Sequence, residues 1–119
     1  MKKKLLITDD AAFMRMLIKK SLEKEGYEIE EACDGKDMLE KYEQFMPNIV
    51  TLDITMPNMD GIEALKKLML RYPEAKVVMC SAMGQRVLVQ EAIKLGACDF
   101  IVKPFVSENL LETIRKHII

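Results

Sequence analysis

The chain has 119 residues, of which 50% are hydrophobic and 31% are charged, and its formal net charge is −1. This length suits one globular domain, and the composition argues against disorder. The near-zero charge excludes a general attraction to nucleic acid or to anionic membranes, and no apolar stretch is long enough to span a bilayer.

The chain begins with basic residues, but the apolar segment that follows is too short for the core of a secretory signal. We therefore expect a cytoplasmic protein made of one domain, residues 1–119. We expect it to bind neither nucleic acid nor membranes and to be a monomer.

The cysteines and the histidine restrict the chemistry. The three cysteines have no CxxC spacing, so neither a zinc site nor a disulfide framework is expected. His117 is the only histidine and lies near the C-terminal end. This excludes a histidine-based catalytic centre and a metal site built from several histidines.

Strand-like and helix-like patterns alternate five times along the chain. Apolar runs rich in β-branched residues predict strands at residues 4–8, 28–32, 49–53, 76–81 and 99–102. Amphipathic segments between them predict helices at residues 12–25, 35–45, 61–72, 86–95 and 107–118. Five strand–helix units with short connections predict a doubly wound α/β domain, a five-stranded parallel sheet with helices on both faces.

Local signals fix some of the helix faces and ends. Four apolar residues at helical spacing in the first helix are expected to face the core: Phe13, Leu17, Ile18 and Leu22. Gly26 and Gly96 follow predicted helices and are expected to be left-handed C-caps. Ser107 is expected to be the N-cap of the last helix.

Polar residues stand where predicted strands end. In a parallel sheet these ends share one edge, which is where open α/β sheets bind ligands. Five residues occupy such positions: Asp9, Asp10, Asp53, Ser81 and Lys103. Each has a simpler explanation on its own, since Asp10 could cap the first helix and Asp53 could belong to a turn. Their order on successive strand ends favours a shared site.

The residue types in this set favour chemistry on phosphate. Clustered carboxylates raise one another's proton affinity unless a cation joins them, and oxygen ligands suit Mg²⁺. The backbone carbonyl of Thr55 could add a neutral oxygen ligand. Lys103 and Ser81 offer a positive charge and a hydroxyl to an anionic oxygen. Asp53 could then attack phosphorus and form an acyl phosphate.

This pattern resembles a known family. The order and spacing of Asp9-Asp10, Asp53, Ser81 and Lys103-Pro104 are similar to those of receiver domains of two-component response regulators. The resemblance runs from Leu5 to the last helix. Within the family, residues 9–15, 53–57, 80–85 and 99–105 most resemble stand-alone chemotaxis regulators of the CheY type. The resemblance implies a flavodoxin-like, CheY-like fold.

The resemblance also assigns roles to the site residues. It implies four Mg²⁺ ligands: Asp9 (partly through water), Asp10, Asp53 and the Thr55 carbonyl. Asp53 would be the phosphoacceptor, while Ser81 and Lys103 would bind the phosphoryl group. Movement of Ser81 would let Phe100 swing inward and change the surface formed by the fourth helix, the fifth strand and the fifth helix. Many chemotaxis regulators have tyrosine at position 100, so a switch with Phe100 must depend on packing.

The fourth predicted helix carries a second apolar row beside its core-facing residues. Val89 and Ile93 form this row, which either contacts a partner or packs in the core. The two readings are left open by the sequence.

The implied function is a signalling switch. Asp53 would accept a phosphoryl group from a histidine kinase of the CheA type, and the changed surface would bind a separate target, expected to be the flagellar motor switch protein. A dedicated phosphatase would be a further partner. The protein would catalyse only its own phosphorylation and dephosphorylation, without turnover of an external substrate.

Two other functions use the same residues. A stand-alone phosphorelay intermediate would pass the phosphoryl group to another histidine-bearing protein. A phosphohydrolase with an aspartyl phosphate is disfavoured, because such enzymes have a second aspartate where this chain has Thr55. A nucleotide-binding enzyme is disfavoured by the lack of a glycine-rich phosphate loop.

Overall fold

Five strands alternate with five helices in the computed structural model, which describes residues 2–118. The strands are β1 (Lys4–Thr8), β2 (Glu28–Ala32), β3 (Ile49–Asp53), β4 (Val77–Ala82) and β5 (Asp99–Lys103). The helices are α1 (Ala12–Leu22), α2 (Gly35–Phe45), α3 (Gly61–Arg71), α4 (Arg86–Leu95) and α5 (Ser107–His117). A short 3₁₀ helix, Glu23–Glu25, follows α1.

All strands pair in parallel in the order β2-β1-β3-β4-β5. The predicted doubly wound α/β fold is therefore confirmed. Three strands and two helices have the predicted bounds. The other elements differ at their ends, and the largest difference is in the segment 12–25, where the α-helix stops at Leu22 and the 3₁₀ turn continues to Glu25.

The core has two layers, one on each face of the sheet, because successive side chains of a strand point to opposite faces. One layer includes Leu6, Leu52 and Leu65 and lies under α2, α3 and α4. The other includes Ile7 and Ile18 and lies under α1 and α5. Every residue of β3 is buried, so its last residue is held at a fixed place on the sheet edge.

The predicted core face of α1 is wrong in part. Ile18 and Leu22 are buried, but Phe13 is 66% exposed and Leu17 is also exposed. Phe13, Leu17 and Ser21 form one row at a spacing of four residues. Only the Ser21 end of this row has a bond to α5, through the hydroxyl of Ser107 at 2.9 Å, and the other end is left in solvent.

Ser107 is not the predicted N-cap. It is the first residue of α5, and its hydroxyl bonds to Ser21, while Val106 occupies the cap position without a side-chain bond. The left-handed conformations predicted for Gly26 and Gly96 are confirmed, with φ values of 78° and 117°.

No helix among residues 2–118 is long and apolar enough to cross a membrane.

A buried hydroxyl in β3 provides a test of the core. Thr51 is fully buried, and its Oγ1 atom has no hydrogen-bond partner within the described part of the chain. Because an unpaired buried hydroxyl costs free energy, we expect Thr51→Val to raise the free energy of unfolding by about 1 kcal/mol. Urea unfolding measures this change.

Thr51→Ser is the matched control, because it keeps the hydroxyl and removes the buried methyl group. It should lower the free energy of unfolding. If valine gives no gain over threonine, the hydroxyl is paired in solution and this description of the core is wrong.

Candidate functional site

Three carboxylates meet at the carboxyl edge of the sheet. Asp9 and Asp10 follow β1, Asp53 is the last residue of β3, and these two strands are paired neighbours. One oxygen from each carboxylate lies within 4.8 Å of the other two. Asp9 and Asp53 are almost fully buried, whereas Asp10 is exposed. This set of hard oxygen ligands, accessible from one side, fits Mg²⁺.

The ammonium group of Lys103 contacts both buried carboxylates. Its Nζ donates to Asp9 Oδ2 at 2.7 Å and lies 3.3 Å from Asp53 Oδ1. Lys103 is the last residue of β5, and its peptide bond to Pro104 is cis. Burial lowers the pKa of Lys103, but the hydrogen bond to Asp9 and the charges of both carboxylates outweigh burial and raise the pKa overall. Lys103 therefore remains positively charged within the cluster.

The pKa of Asp53 depends on its burial and on the charges around it. Burial raises the pKa of Asp53 above its ordinary value, and the charge of Asp9 adds to this effect. The Lys103 ammonium and a hydrogen bond from the Thr55 backbone lower the pKa but do not cancel the rise. A cation bound beside Asp53 would favour its ionised form.

The start of α1 holds Asp9 in place. The Asp9 carboxylate accepts a hydrogen bond from the Ala11 N–H at 2.9 Å, and its backbone carbonyl accepts one from Arg15 Nη1 at 2.7 Å. Arg15 is itself bound to Glu31 on β2. The N-cap of α1 is Ala11, without a side-chain bond, so Asp10 does not cap this helix. Arg15 was not identified from sequence as a residue of the site.

Gly61 allows α3 to approach the end of β3. Its N–H donates to the Ile54 carbonyl at 2.6 Å. A Cβ atom at this position would lie 2.1 Å from the Asp53 carbonyl oxygen, so any other residue would displace the strand end. From sequence, Gly61 was assigned only as the first residue of a predicted helix.

Ser81 lies between the acidic cluster and a groove. It follows Cys80, which is paired with Asp53 across β3 and β4, and its side chain is buried. Lys103 forms ion pairs with Asp9 and Asp53, and among residues 2–118 the Ser81 side chain has no hydrogen bond to any of these three groups. Ser81 and Phe100 both line a groove of about 940 Å³ between α4 and β5.

The two residues of the second apolar row of α4 differ in burial, so each of the two alternatives left open by the sequence, core packing and partner contact, applies to one of them. Val89 is buried in the core, while Ile93 is exposed, and both line the same groove as Phe100. Phe100 is 43% exposed. The groove therefore has apolar walls that are accessible to a partner.

Gln85 connects the loops on either side of the site and was not identified from sequence. Its Oε1 accepts a hydrogen bond from the Ala82 N–H at 2.6 Å, and its Nε2 donates to Thr55 Oγ1 at 2.7 Å. The Thr55 side chain is therefore engaged away from the acidic cluster. The role of its backbone carbonyl as a metal ligand stays a prediction.

Comparisons with known proteins agree with this geometry. The family model of the response regulator receiver domain matches residues 5–115. Chemotaxis protein CheY of Thermotoga maritima is 54% identical over 117 residues, which cover 98% of this chain and 98% of that protein. Chemotaxis protein CheY of Bacillus subtilis is 54% identical over 114 residues, covering 95% of each. The structure of chemotaxis protein CheY4 of Vibrio cholerae superposes with a TM-score of 0.92 at 30% identity, covering 98% of this chain and 99% of that one.

The burial of Asp53 predicts a pH-dependent stability. A carboxyl group whose pKa is raised by folding favours the folded state at low pH, and this contribution is lost as the pH rises through its folded pKa. In metal-free buffer at pH 7, Asp53→Asn should therefore unfold at a higher urea concentration than the wild type. The difference should shrink as the pH falls below about 4, the ordinary pKa of aspartate, where the carboxyl group becomes protonated in the folded and in the unfolded state.

The same urea series with added Mg²⁺ provides the control. Mg²⁺ should stabilise the wild type more than Asp53→Asn, because the variant lacks one anionic ligand. A variant that is less stable than the wild type at pH 7 without metal would show that pairing with Lys103 outweighs burial.

Proposed function

The chain belongs to the family of response regulator receiver domains, and we propose that it is a chemotaxis regulator switched by phosphorylation of Asp53. The observation that carries this proposal is the meeting of Asp9, Asp10 and Asp53 at one edge of the sheet, where Lys103 pairs with Asp9 and Asp53. This arrangement provides a nucleophile, a set of metal ligands and a fixed positive charge. The 54% sequence identity to chemotaxis proteins along nearly the whole chain supports a role in chemotaxis.

The reaction we propose is transfer of a phosphoryl group from a phosphohistidine to Asp53. One carboxylate oxygen of Asp53 attacks phosphorus, the new O–P bond forms, and the P–N bond breaks with its electron pair returning to the imidazole. Lys103 is held by Asp9 at a position from which its ammonium can also contact a phosphoryl oxygen. The hydroxyl of Ser81 would donate to another phosphoryl oxygen once β4 moves toward Asp53.

The acidic cluster would hold Mg²⁺ through four ligands: Asp9, Asp10, Asp53 and the Thr55 carbonyl. When bound, Mg²⁺ supplies positive charge that offsets the charges of the carboxylates and of the phosphoryl oxygens. The exposed position of Asp10 leaves this side of the cluster accessible to the ion and to the phosphoryl donor.

The output would be a change in the groove between α4 and β5. Ser81 and Phe100 line the same groove, so a shift of Ser81 toward the phosphoryl group would open space beside the ring. Inward rotation of Phe100 would bury a residue that is now 43% exposed. A target that binds only the rotated form would shift the population toward it.

We propose a histidine kinase of the CheA type as the phosphoryl donor and the flagellar motor switch protein as the target. A dedicated phosphatase would reset the switch. The protein would act in the cytoplasm as a monomer, and its chemistry would be confined to its own aspartate. A phosphorelay intermediate would use the same acidic site but would not need the groove to bind a motor protein.

Binding to a motor-switch peptide from the same organism tests the proposal. Beryllofluoride with Mg²⁺ imitates the phosphoryl group, and fluorescence anisotropy reports binding of the labelled peptide. We expect the wild type to gain affinity by at least about tenfold, in line with typical coupling between two sites. Asp53→Asn should show no gain.

The outcomes separate the candidate functions. A protein that binds beryllofluoride but not the peptide would support the relay function over the motor target. Equal responses of the wild type and Asp53→Asn would contradict the assignment of Asp53 as the phosphoacceptor.

A further inference from the structure

Gln85 closes a small hydrogen-bonded ring at the end of β4. The Ala82 N–H donates to Gln85 Oε1 at 2.6 Å, and the Gln85 N–H donates to the Ala82 carbonyl at 3.4 Å. Both backbone polar groups of Ala82 are thus bound to the same residue. The turn between β4 and α4 is thereby stabilised as one unit, directly after Ser81.

The same side chain attaches this turn to the neighbouring loop. Gln85 Nε2 donates to Thr55 Oγ1 at 2.7 Å. Two hydrogen bonds therefore connect the Ala82 amide through Gln85 to Thr55, which lies two residues after Asp53. We define Ala82, Gln85 and Thr55 as the Gln85 bridge.

We propose that Gln85 is a positioning residue that holds the turn after β4 in its unphosphorylated arrangement and so lowers the affinity of the Asp53 site for a phosphoryl group. This inference rests on the proposed function. Ser81 is buried, and among residues 2–118 its side chain has no hydrogen bond to Asp53 or Lys103. The proposed function therefore has the end of β4 move so that the Ser81 hydroxyl reaches a group on Asp53. Ala82 has to move with it, and the bonds of Ala82 to Gln85 oppose that movement.

The Gln85 bridge cannot move together with Ser81, because Gln85 is held by contacts with α4 and with the loop after β3. Gln85 is the N-cap of α4, and its carbonyl accepts the Val89 N–H at 3.0 Å, so its backbone is fixed by the helix. Its side chain contacts Thr55, which belongs to the loop after β3. A movement of Ser81 toward Asp53 must therefore break at least one bond of the bridge.

The consequence is a shift in the equilibrium between two arrangements of the turn. A hydrogen bond that is present only in the unphosphorylated arrangement stabilises that arrangement. It therefore lowers the apparent affinity of the Asp53 site for a phosphoryl group, which requires the moved arrangement of the turn. Because the movement must break at least one neutral hydrogen bond of Gln85, removing this side chain should raise the affinity by about three- to tenfold.

The experiment measures beryllofluoride affinity in the presence of Mg²⁺ by NMR titration of the full chain. We expect Gln85→Ala to bind about three- to tenfold more tightly than the wild type, and Thr55→Val to show a smaller gain because it removes one bond only. Gln90→Ala is the matched control, since Gln90 is an exposed glutamine of α4 that lines the same groove outside the bridge. It should bind like the wild type.

Two further readouts distinguish positioning from a general structural effect. In the double variant, Thr55→Val should add nothing to Gln85→Ala, because the bridge is already broken. Hydrogen exchange of the Ala82 amide should be slow in the unliganded wild type and faster in Gln85→Ala.

Gln85→Ala with the wild-type affinity or a weaker one would overturn the inference, while the function proposed for Asp53 would stand. A wild type that binds no beryllofluoride would overturn the proposed function and this inference with it.

Discussion

The central constraint on this structure is the burial of two carboxylates beside one ammonium group. Asp9 and Asp53 are almost fully buried and share Lys103, and the exposed carboxylate of Asp10 lies beside them. Removing charges from water is costly unless they are paired, and one ammonium cannot balance three carboxylates. The cluster therefore has a strong electrostatic preference for an additional cation, and such a cation, together with Lys103, would stabilise the negative charge of an incoming phosphoryl group.

Several features of the fold keep this cluster in place. Arg15 holds the Asp9 carbonyl from α1, and Gly61 lets α3 pack directly against the end of β3. Cys80 lies in β4 opposite Asp53, and burial raises the pKa of its thiol to about 12, so the thiol adds no charge to the cluster. The fold thus positions three carboxylates closely beside the ammonium of Lys103, which alone cannot neutralise them.

The structure also explains how a local event at Asp53 can reach a distant surface. Ser81 is the last buried residue before the turn to α4, and it lines the groove that contains Phe100. Ser81 follows Cys80, the β4 residue paired with Asp53, and the next residue, Ala82, is bound to Gln85. A displacement of this short segment at the end of β4 would therefore affect the loop after β3 and the groove at the same time.

The sequence predicted the sheet and the carboxyl-edge residues because strand ends depend on short apolar runs and on turn residues, which are local signals. The prediction for α1 was wrong at Phe13 and Leu17, since helical spacing defines an apolar row but not how far the neighbouring helix covers it. Ser107 was assigned as a cap although its hydroxyl has a partner 86 positions away in the chain. Arg15 and Gln85 were missed for the same reason, because their contacts join segments that only the folded chain brings together.

Chemical trapping of the phosphorylated residue tests the central claim most directly. The protein would be incubated with acetyl phosphate and Mg²⁺, reduced with borohydride to convert an aspartyl phosphate to homoserine, and digested for mass spectrometry. The account predicts homoserine at position 53 and a strong decrease in its yield when Mg²⁺ is chelated. Modification at Asp9 or Asp10, or no modification at any aspartate, would contradict it.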